Sequence, residues 1–137
     1  MATSLPNQSK NETKKIVSTD QAPAAIGPYS QAVIHGGLVY CSGQIALDPV
    51  TMEIVGEDAE TQAKQVMNNL GEVLSAAGSD FTKVIKCSIF LDSMDDFGVV
   101  NKVYGAFFTE NPPARETVAV QTLPQNLLGE ISCIASV

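Results

Sequence analysis

The clearest periodicity in this sequence is helical and falls in two stretches. Across residues 58–77 apolar residues recur at i, i+3, i+4 and i+7, which predicts a helix with one buried face. Asp58 is a candidate N-cap, and Gly78 stands where a left-handed residue would end the helix. A second helix is predicted to start at Ser93 and to stop at Asn111-Pro112-Pro113.

Five shorter runs are rich in β-branched and aromatic residues, which predicts strands. They cover residues 32–35, 38–46, 83–91, 116–122 and 129–136. Gly36-Gly37 separates the first two runs, as in a tight hairpin. The predicted order of elements is therefore β-β-α-β-α-β-β.

This order predicts an α+β fold: a mixed sheet with two helices packed on one face. The strands at 38–46, 83–91 and 129–136 are apolar at nearly every position, as in VIKCSIFL. A strand that is apolar on both faces needs cover on both faces, and two helices cover only one. A second copy of the chain is the simplest remaining cover, so we expect a homo-oligomer.

The N-terminus differs in composition from the rest of the chain. Residues 1–15 are polar, aperiodic and without aromatic side chains, so we expect a disordered tail at 1–15 and a single domain at 16–137. A transit peptide is the alternative for the tail, although it has no arginine, contains Glu12 and lacks an amphipathic face. No apolar run approaches the ~18 residues that span a bilayer, so we expect no membrane partner.

Charge and cysteine content narrow the partners and the compartment. Eight basic against fifteen acidic residues give a net charge of −7, which argues against nucleic-acid binding. Cys41, Cys87 and Cys133 each lie inside an apolar run, without CxxC spacing and with a single histidine in the chain. We interpret them as reduced core thiols in a reducing compartment: the cytoplasm, or alternatively the mitochondrial matrix.

No cofactor or metal is predicted, because the sequence has no phosphate-binding glycine loop, GxSxG, HExxH or paired Cys-His spacing. The candidate chemistry lies in polar residues near predicted strands. Arg115, the only arginine, follows two prolines and could clamp a carboxylate or simply be solvated. Glu130 begins an apolar strand, and the preceding loop could return it toward Arg115. There it could orient a water molecule or form a structural ion pair.

Three further places carry polar or small residues where the pattern is otherwise apolar or rigid. Ser42-Gly43-Gln44 interrupts a strand, which indicates a bulge or the close approach of another group. Tyr29 places a phenol on a turn stiffened by Pro28, and Asn101 lies among apolar helix residues. Ordinary turn, bulge and loop-capping roles remain open for all of them.

Four segments together resemble the Rid family, also called the YjgF or reactive intermediate/imine deaminase family. They are AAIGPYSQAV (24–33), LVYCSGQIALDP (38–49), VNKVYGAFF (100–108) and PPARETVAVQTLP…GE (112–130). The resemblance implies a chorismate-mutase-like fold and a homotrimer with clefts between subunits. It also implies an enzyme that hydrolyses 2-imino acids, such as 2-iminobutanoate and 2-iminopropanoate, to 2-oxo acids and ammonia.

The same resemblance implies roles for individual residues. Arg115 matches the arginine that holds the substrate carboxylate, and Glu130 matches the acid that handles the attacking water. The substrate-binding positions that match are Tyr29, Ser42, Gly43, Asn101 and Thr117. Many members carry cysteine where this chain has Thr117, so a thiol role at that position is not expected here.

Two other functions compete with this expectation. A trimer could bind a small carboxylate, or act as a chaperone, without turnover. An endoribonuclease is the other alternative, which the acidic charge disfavours.

The small residues at Ser42-Gly43 suggest a cleft for short substrates.

Overall fold

The computed structural model describes residues 13–137 and places them in one six-stranded sheet with two helices. The strands are β1 (Lys15–Val17), β2 (Ala32–His35), β3 (Leu38–Gln44), β4 (Val84–Leu91), β5 (Ala114–Ala119) and β6 (Gly129–Ser136). The helices are α1 (Ala59–Ala76) and α2 (Phe97–Gly105), and short 3-10 turns cover Phe81–Lys83, Met94–Asp96 and Pro124–Asn126.

The sheet is mixed, as the order of predicted elements required. The strand order is β1-β2-β3-β6-β4-β5, with β4 and β5 parallel and every other neighbouring pair antiparallel. Gly36 and Gly37 both adopt positive φ in the β2–β3 hairpin, where a side chain would be strained. The α+β prediction, with two helices on one face, is confirmed.

Alternation along the central strands separates a helix face from an open face. In β6, Ile131, Cys133 and Ala135 are buried beneath the helices. The residues between them point the other way, and Ile134 lies beside Tyr40, which is 44% exposed. Ile16, Val33, Tyr40 and Ile134 form one apolar row across four strands of the open face.

The helices form where the periodicity predicted, with differences at their ends. Asp58 caps α1 by accepting a hydrogen bond from Thr61 N at 2.7 Å. Ser93 caps only a 3-10 turn, and α2 begins at Phe97 and ends at Gly105, before the predicted stop. Asp96, at the N-cap position of α2, makes no side-chain capping bond.

Three predicted strands have other bounds: β3 ends at Gln44 instead of residue 46, β4 begins at Val84 instead of residue 83, and β5 is shifted toward the N-terminus. β5 begins at Ala114, so Arg115 lies inside a strand and not before it, because pairing with β4 extends the ladder toward the prolines. β1 was not predicted as a strand: it is only three residues long and depends on pairing with β2. β1 includes Lys15, which the prediction placed in the tail, and residues 1–12 of that predicted tail lie outside the described residues.

The three cysteines are free, buried and adjacent. Cys133 on β6 is directly opposite Cys41 on β3 and Cys87 on β4, so the thiols form a row on the helix face. Burial raises the pKa of Cys87. Within residues 13–137, no helix is both long and apolar enough to cross a bilayer.

Candidate functional site

The interruption predicted at Ser42-Gly43 is a β-bulge. Cys41 pairs with Cys133 and Gln44 pairs with Ile131, so two residues of β3 lie opposite the single Ser132 of β6. The bulge brings the Gly43 backbone against Glu130: a Cβ built on Gly43 would lie 2.8 Å from Cδ of Glu130. A side chain at position 43 would therefore push this carboxylate from its present place.

Glu130 lies at the start of β6, on the open face, half-buried and opposite Phe90. Burial raises the pKa of its carboxyl above the ordinary value of 4.5. A carboxyl group with a raised pKa spends more time protonated than an exposed carboxyl, so it is better suited to donate a proton as well as to accept one.

A cavity of about 460 Å³ opens in front of Glu130. Tyr29, Ser42 and Gly43 line it together with Glu130, so four of the predicted site residues share one cavity. Most of the remaining lining is apolar, and Glu130 is the one charged side chain among the described residues that form it. A wider hollow of about 690 Å³ lies along residues 16–31 and includes Tyr29 alone among the predicted site residues.

The loop between β1 and β2, which carries Tyr29, is attached to the bulge through Ser42 and Gln31. The Ser42 hydroxyl donates to Ser30 O at 2.6 Å, and Ser42 N donates to Gln31 O at 2.9 Å. The buried Gln31 amide in turn donates to the carbonyls of Thr19 and Pro23. The Ser42 hydroxyl therefore holds the loop, and its two oxygen lone pairs are what it can offer to a ligand.

Arg115 lies on the other face of the sheet. Its register partner is Cys87 of the helix face, and its guanidinium lies 5.2 Å from the ring centroid of Tyr104 and 5.6 Å from that of Phe97. Arg115 Nη1 donates a hydrogen bond to Asn101 Oδ1. Asn101 thus orients the arginine from α2 instead of capping a loop.

Thr117 shares this face with Arg115, since residues two apart in a strand point the same way. Its hydroxyl oxygen is buried and has no hydrogen-bond partner within residues 13–137. The hydroxyl of Tyr104, which lies beneath the guanidinium, is likewise buried without a hydrogen-bond partner among the described residues. Burial and the neighbouring Cys87 raise the pKa of Tyr104. Glu116, between Arg115 and Thr117, points to the open face and pairs with Lys86 at 3.2 Å.

The expectation that the chain returns Glu130 to Arg115 is therefore wrong for a single chain. Arg115 is paired with Cys87 and Glu130 with Phe90, so the two groups differ both in position along β4 and in the face of the sheet. Burial alone accounts for the raised pKa of Glu130, and Arg115 does not contribute to it. The predicted site residues therefore fall into two separate groups on one chain, called half-sites below: Tyr29, Ser42, Gly43 and Glu130 in one, and Asn101, Arg115 and Thr117 in the other.

Two buried polar side chains of α1 that anchor loop backbone were not predicted from the sequence, and one of them, Asn69, holds part of the cavity wall. Asn69 of α1, 1% exposed, donates from Nδ2 to Ile45 O at 3.2 Å and to Leu47 O at 3.0 Å. Gln62 donates to Gly56 O and accepts from Leu128 N. Gln62 and Asn69 are seven residues apart in the sequence, beside the apolar stripe of α1. This helical spacing could have indicated that both side chains face the interior.

No metal-binding arrangement is present in this part of the molecule. Among the described residues, no group of three or more His, Cys, Asp or Glu side chains is placed to hold a metal ion. The side chains of the two half-sites offer a guanidinium fork, a carboxyl group and hydroxyls.

Comparison with known proteins extends over nearly the whole described chain. A family model described as Endoribonuclease L-PSP matches residues 19–137. The RutC family protein slr0709 of Synechocystis is 51% identical over 125 residues, 90% of this chain and 96% of that protein. The 2-iminobutanoate/2-iminopropanoate deaminase of Rattus norvegicus is 47% identical over 122 residues, 89% of each chain. The crystal structure of E. coli TdcF with bound serine has a TM-score of 0.86 at 39% identity, covering 90% of this chain and 98% of that one.

Proposed function

Because this chain belongs to the Rid (YjgF) family, we propose that it is an imine deaminase that hydrolyses 2-iminobutanoate and 2-iminopropanoate to 2-oxo acids and ammonia. The observation that carries the proposal is the Glu130 carboxyl, held over Gly43 at the wall of a cavity with no other charged group among its described lining residues. Deaminase-named relatives at this identity support an enzyme acting on C–N bonds.

The two half-sites support an assembly in which neighbouring copies complete one another. Arg115 is exposed at the β5 edge, while the cavity of Glu130 opens elsewhere on the chain, so one copy's arginine can face the other copy's carboxyl. The apolar row through Tyr40 and Ile134 gives the open face a surface for the same contact. We propose a homotrimer with one site in each cleft between subunits.

The residues fit hydrolysis of a carbon–nitrogen double bond. Arg115, oriented by Asn101 and stacked on Tyr104, holds the substrate carboxylate through its free N–H groups. Glu130 takes a proton from the water that attacks the imine carbon and gives it to the imine nitrogen, which forms a carbinolamine. It then takes the remaining hydroxyl proton and gives it to the amino group as the C–N bond breaks and ammonia leaves. The water oxygen becomes the new carbonyl oxygen, so the products are a 2-oxo acid and ammonia.

The remaining predicted residues have supporting roles in this proposal. Tyr29 and Ser42 line the cavity with hydroxyl groups, and Gly43 leaves the space for Glu130. Thr117 offers a buried hydroxyl without a partner within the described chain, beside Arg115. It replaces the thiol that many family members carry, and no step of the proposed reaction needs one.

Two alternatives have specific support, and measurements of ligand binding and of RNA cleavage on the same variants distinguish them from the deaminase. Binding of a small carboxylate without turnover is favoured by the relative solved with bound serine. Ribonuclease activity is suggested by the family description, but the chain carries −7 net charge and a single arginine. The compartment stays a prediction: the cytoplasm, with the mitochondrial matrix as the alternative.

The decisive experiment couples the protein to a serine or threonine dehydratase and follows 2-oxo acid release while semicarbazide competes for the free imine. Arg115→Ala is the test variant, and Lys64→Ala removes an exposed cation of α1, paired with Glu60, as the matched control. Faster release with wild type and the control, but not with Arg115→Ala, supports the proposal. Serine or 2-oxo acid binding without faster release leaves the binding function, and RNA cleavage lost in Arg115→Ala leaves the ribonuclease.

A further inference from the structure

Two loops that line the cavity of Glu130 each contain a non-glycine residue in the left-handed backbone conformation. Among the described residues, four non-glycine residues have positive φ, and two of them, Met52 (62°) and Gln125 (55°), line this cavity. L-residues other than Asn and Asp seldom adopt this conformation, and such strain is concentrated at functional sites. Met52 is the more informative of the two because its side chain packs against the hydrophobic core.

A hydrogen-bonded turn holds Met52 in this conformation. Asp48 O accepts from Met52 N at 2.8 Å, and Asp48 Oδ1 accepts from Val50 N at 2.8 Å and from Thr51 N at 2.9 Å. The turn leaves Val50 87% exposed, whereas Met52 is turned inward to the cavity. The backbone of this loop therefore selects which of its apolar side chains reaches the site.

Met52 belongs to an apolar wall whose other members are Ile26, Ile45 and Leu47. Asn69 fixes the wall by donating to the carbonyls of Ile45 and Leu47. At about 460 Å³ the cavity exceeds the space needed by 2-iminopropanoate, whose side chain is a single methyl group. This lining differs from the small-residue cleft that Ser42-Gly43 suggested.

The proposed reaction fixes what part of a substrate can face this wall. The imine carbon carries three substituents: the carboxylate, the nitrogen and the side chain. Arg115 of a neighbouring copy takes the carboxylate and Glu130 handles the nitrogen and the water, so only the side chain is left for the wall. No cationic side chain lines the cavity among the described residues, and an acidic side chain would meet the carboxylate of Glu130.

We propose that Met52 is the residue that sets side-chain specificity, and that the site prefers 2-imino acids with uncharged aliphatic side chains larger than methyl. This inference rests on the proposed deaminase function. The apolar wall is then the pocket for the substrate side chain, and Met52, on the turn of residues 48–52, sets the size of that pocket.

The test compares imines made in the assay by amino-acid oxidases from alanine, leucine and glutamate. Hydrolysis is followed as loss of semicarbazone formation, and kcat/KM is measured for each imine. Met52→Gly fits the positive φ and removes the thioether, while Met52→Phe fills the pocket. Val50→Gly and Val50→Phe make the same changes on the exposed side of the same turn.

We expect wild type to favour the leucine imine over the alanine imine and to disfavour the glutamate imine. Both Met52 variants should lower the leucine-to-alanine ratio of kcat/KM by about tenfold, whereas the Val50 variants should keep it. Met52→Gly should also weaken binding of 4-methyl-2-oxopentanoate more than binding of pyruvate. This second readout needs no turnover.

The outcomes separate the two proposals. An unchanged ratio in both Met52 variants, with active wild type, overturns the specificity role and leaves the deaminase function standing. If wild type hydrolyses none of the imines, the deaminase function fails, and the specificity inference fails with it. If Met52→Phe does not fold, Met52→Gly and the binding measurement still decide the question.

Discussion

Glu130 occupies the space that a side chain at position 43 would need. A Cβ on Gly43 would lie 2.8 Å from Cδ and 2.9 Å from Cγ of Glu130. The bulge in β3 creates this proximity, because it turns the Gly43 backbone toward the neighbouring strand at the point where β6 begins. The position of the candidate proton-transfer group therefore depends on a residue with no functional group of its own.

Gly43→Ala should displace the Glu130 carboxyl by a distance comparable to a bond length. We expect a loss of about 10²-fold in kcat/KM, since a displacement of about 1 Å at a reacting group costs that much. Gly105→Ala is the matched control, because its new methyl group meets no atom within 4 Å. Full activity in Gly43→Ala would show that the position of Glu130 is not critical.

Asn101→Ala should release the guanidinium of Arg115 without removing its charge. We expect KM for the imine to rise about tenfold while kcat changes less, because a charge-assisted hydrogen bond that orients the carboxylate clamp is lost. Arg115→Lys should raise KM further, since an ammonium group cannot hold a carboxylate bidentately. Equal falls in kcat for both variants, with KM unchanged, would contradict a role in substrate binding.

The pH dependence of kcat/KM should report on Glu130. Burial raises the pKa of this group above 4.5, so the ionised form that acts as base is lost at a higher pH than for an ordinary glutamate. The acid limb of the profile should lie above 4.5 and be absent in Glu130→Gln, which should also lose about 10²–10⁴-fold in rate. Glu53→Gln, an exposed carboxyl near the same cavity, should keep the limb.

Glu130 should also change how the stability of the fold depends on pH. The change is opposite in sign to that from an exposed, salt-bridged carboxyl. Because its pKa is higher in the folded than in the unfolded chain, the folded state is favoured at low pH, and that contribution is lost as pH rises through the folded pKa. The free energy of unfolding, measured with urea at several pH values, should therefore rise less steeply with pH in wild type than in Glu130→Gln. Parallel curves for the two proteins would contradict a buried, raised-pKa group.

Asn69→Ala should destabilise the fold by about 1–3 kcal/mol, because two backbone carbonyls of the cavity wall lose their donor. Asn68→Ala is the control, since Asn68 is the exposed neighbour on the same helix. Urea unfolding of both variants measures the difference. Equal stability in the two variants would mean that water replaces the amide without cost.

Tyr40→Glu should dissociate the assembly. A carboxylate in the centre of the apolar row on the open face would be buried without a partner between copies, at a cost of about 2 kcal/mol or more. Analytical ultracentrifugation should show monomers, with Val50→Glu on an exposed loop remaining assembled. Deaminase activity should fall with the assembly, and an active monomer would rule out a site shared between copies.

Local sequence signals predicted much of the fold. The apolar stripe of α1, the cap at Asp58, the Gly36-Gly37 hairpin and the bulge at Gly43 each depend on a few neighbouring residues. The burial of the three cysteines followed from the apolar runs around them. β1 escaped prediction because three residues carry little periodicity, and its stability comes from pairing with a distant strand.

The sequence by itself determined which residue types are available for the chemistry: one arginine, one strand-end carboxyl and a set of hydroxyls and small residues. Only the tertiary structure decided that Arg115 and Glu130 lie on opposite faces of the sheet. The reason is that the face of each side chain is fixed by its register against β4, opposite Cys87 for one and Phe90 for the other. A shift of one residue in either pairing would reverse the face, and no local pattern encodes that choice.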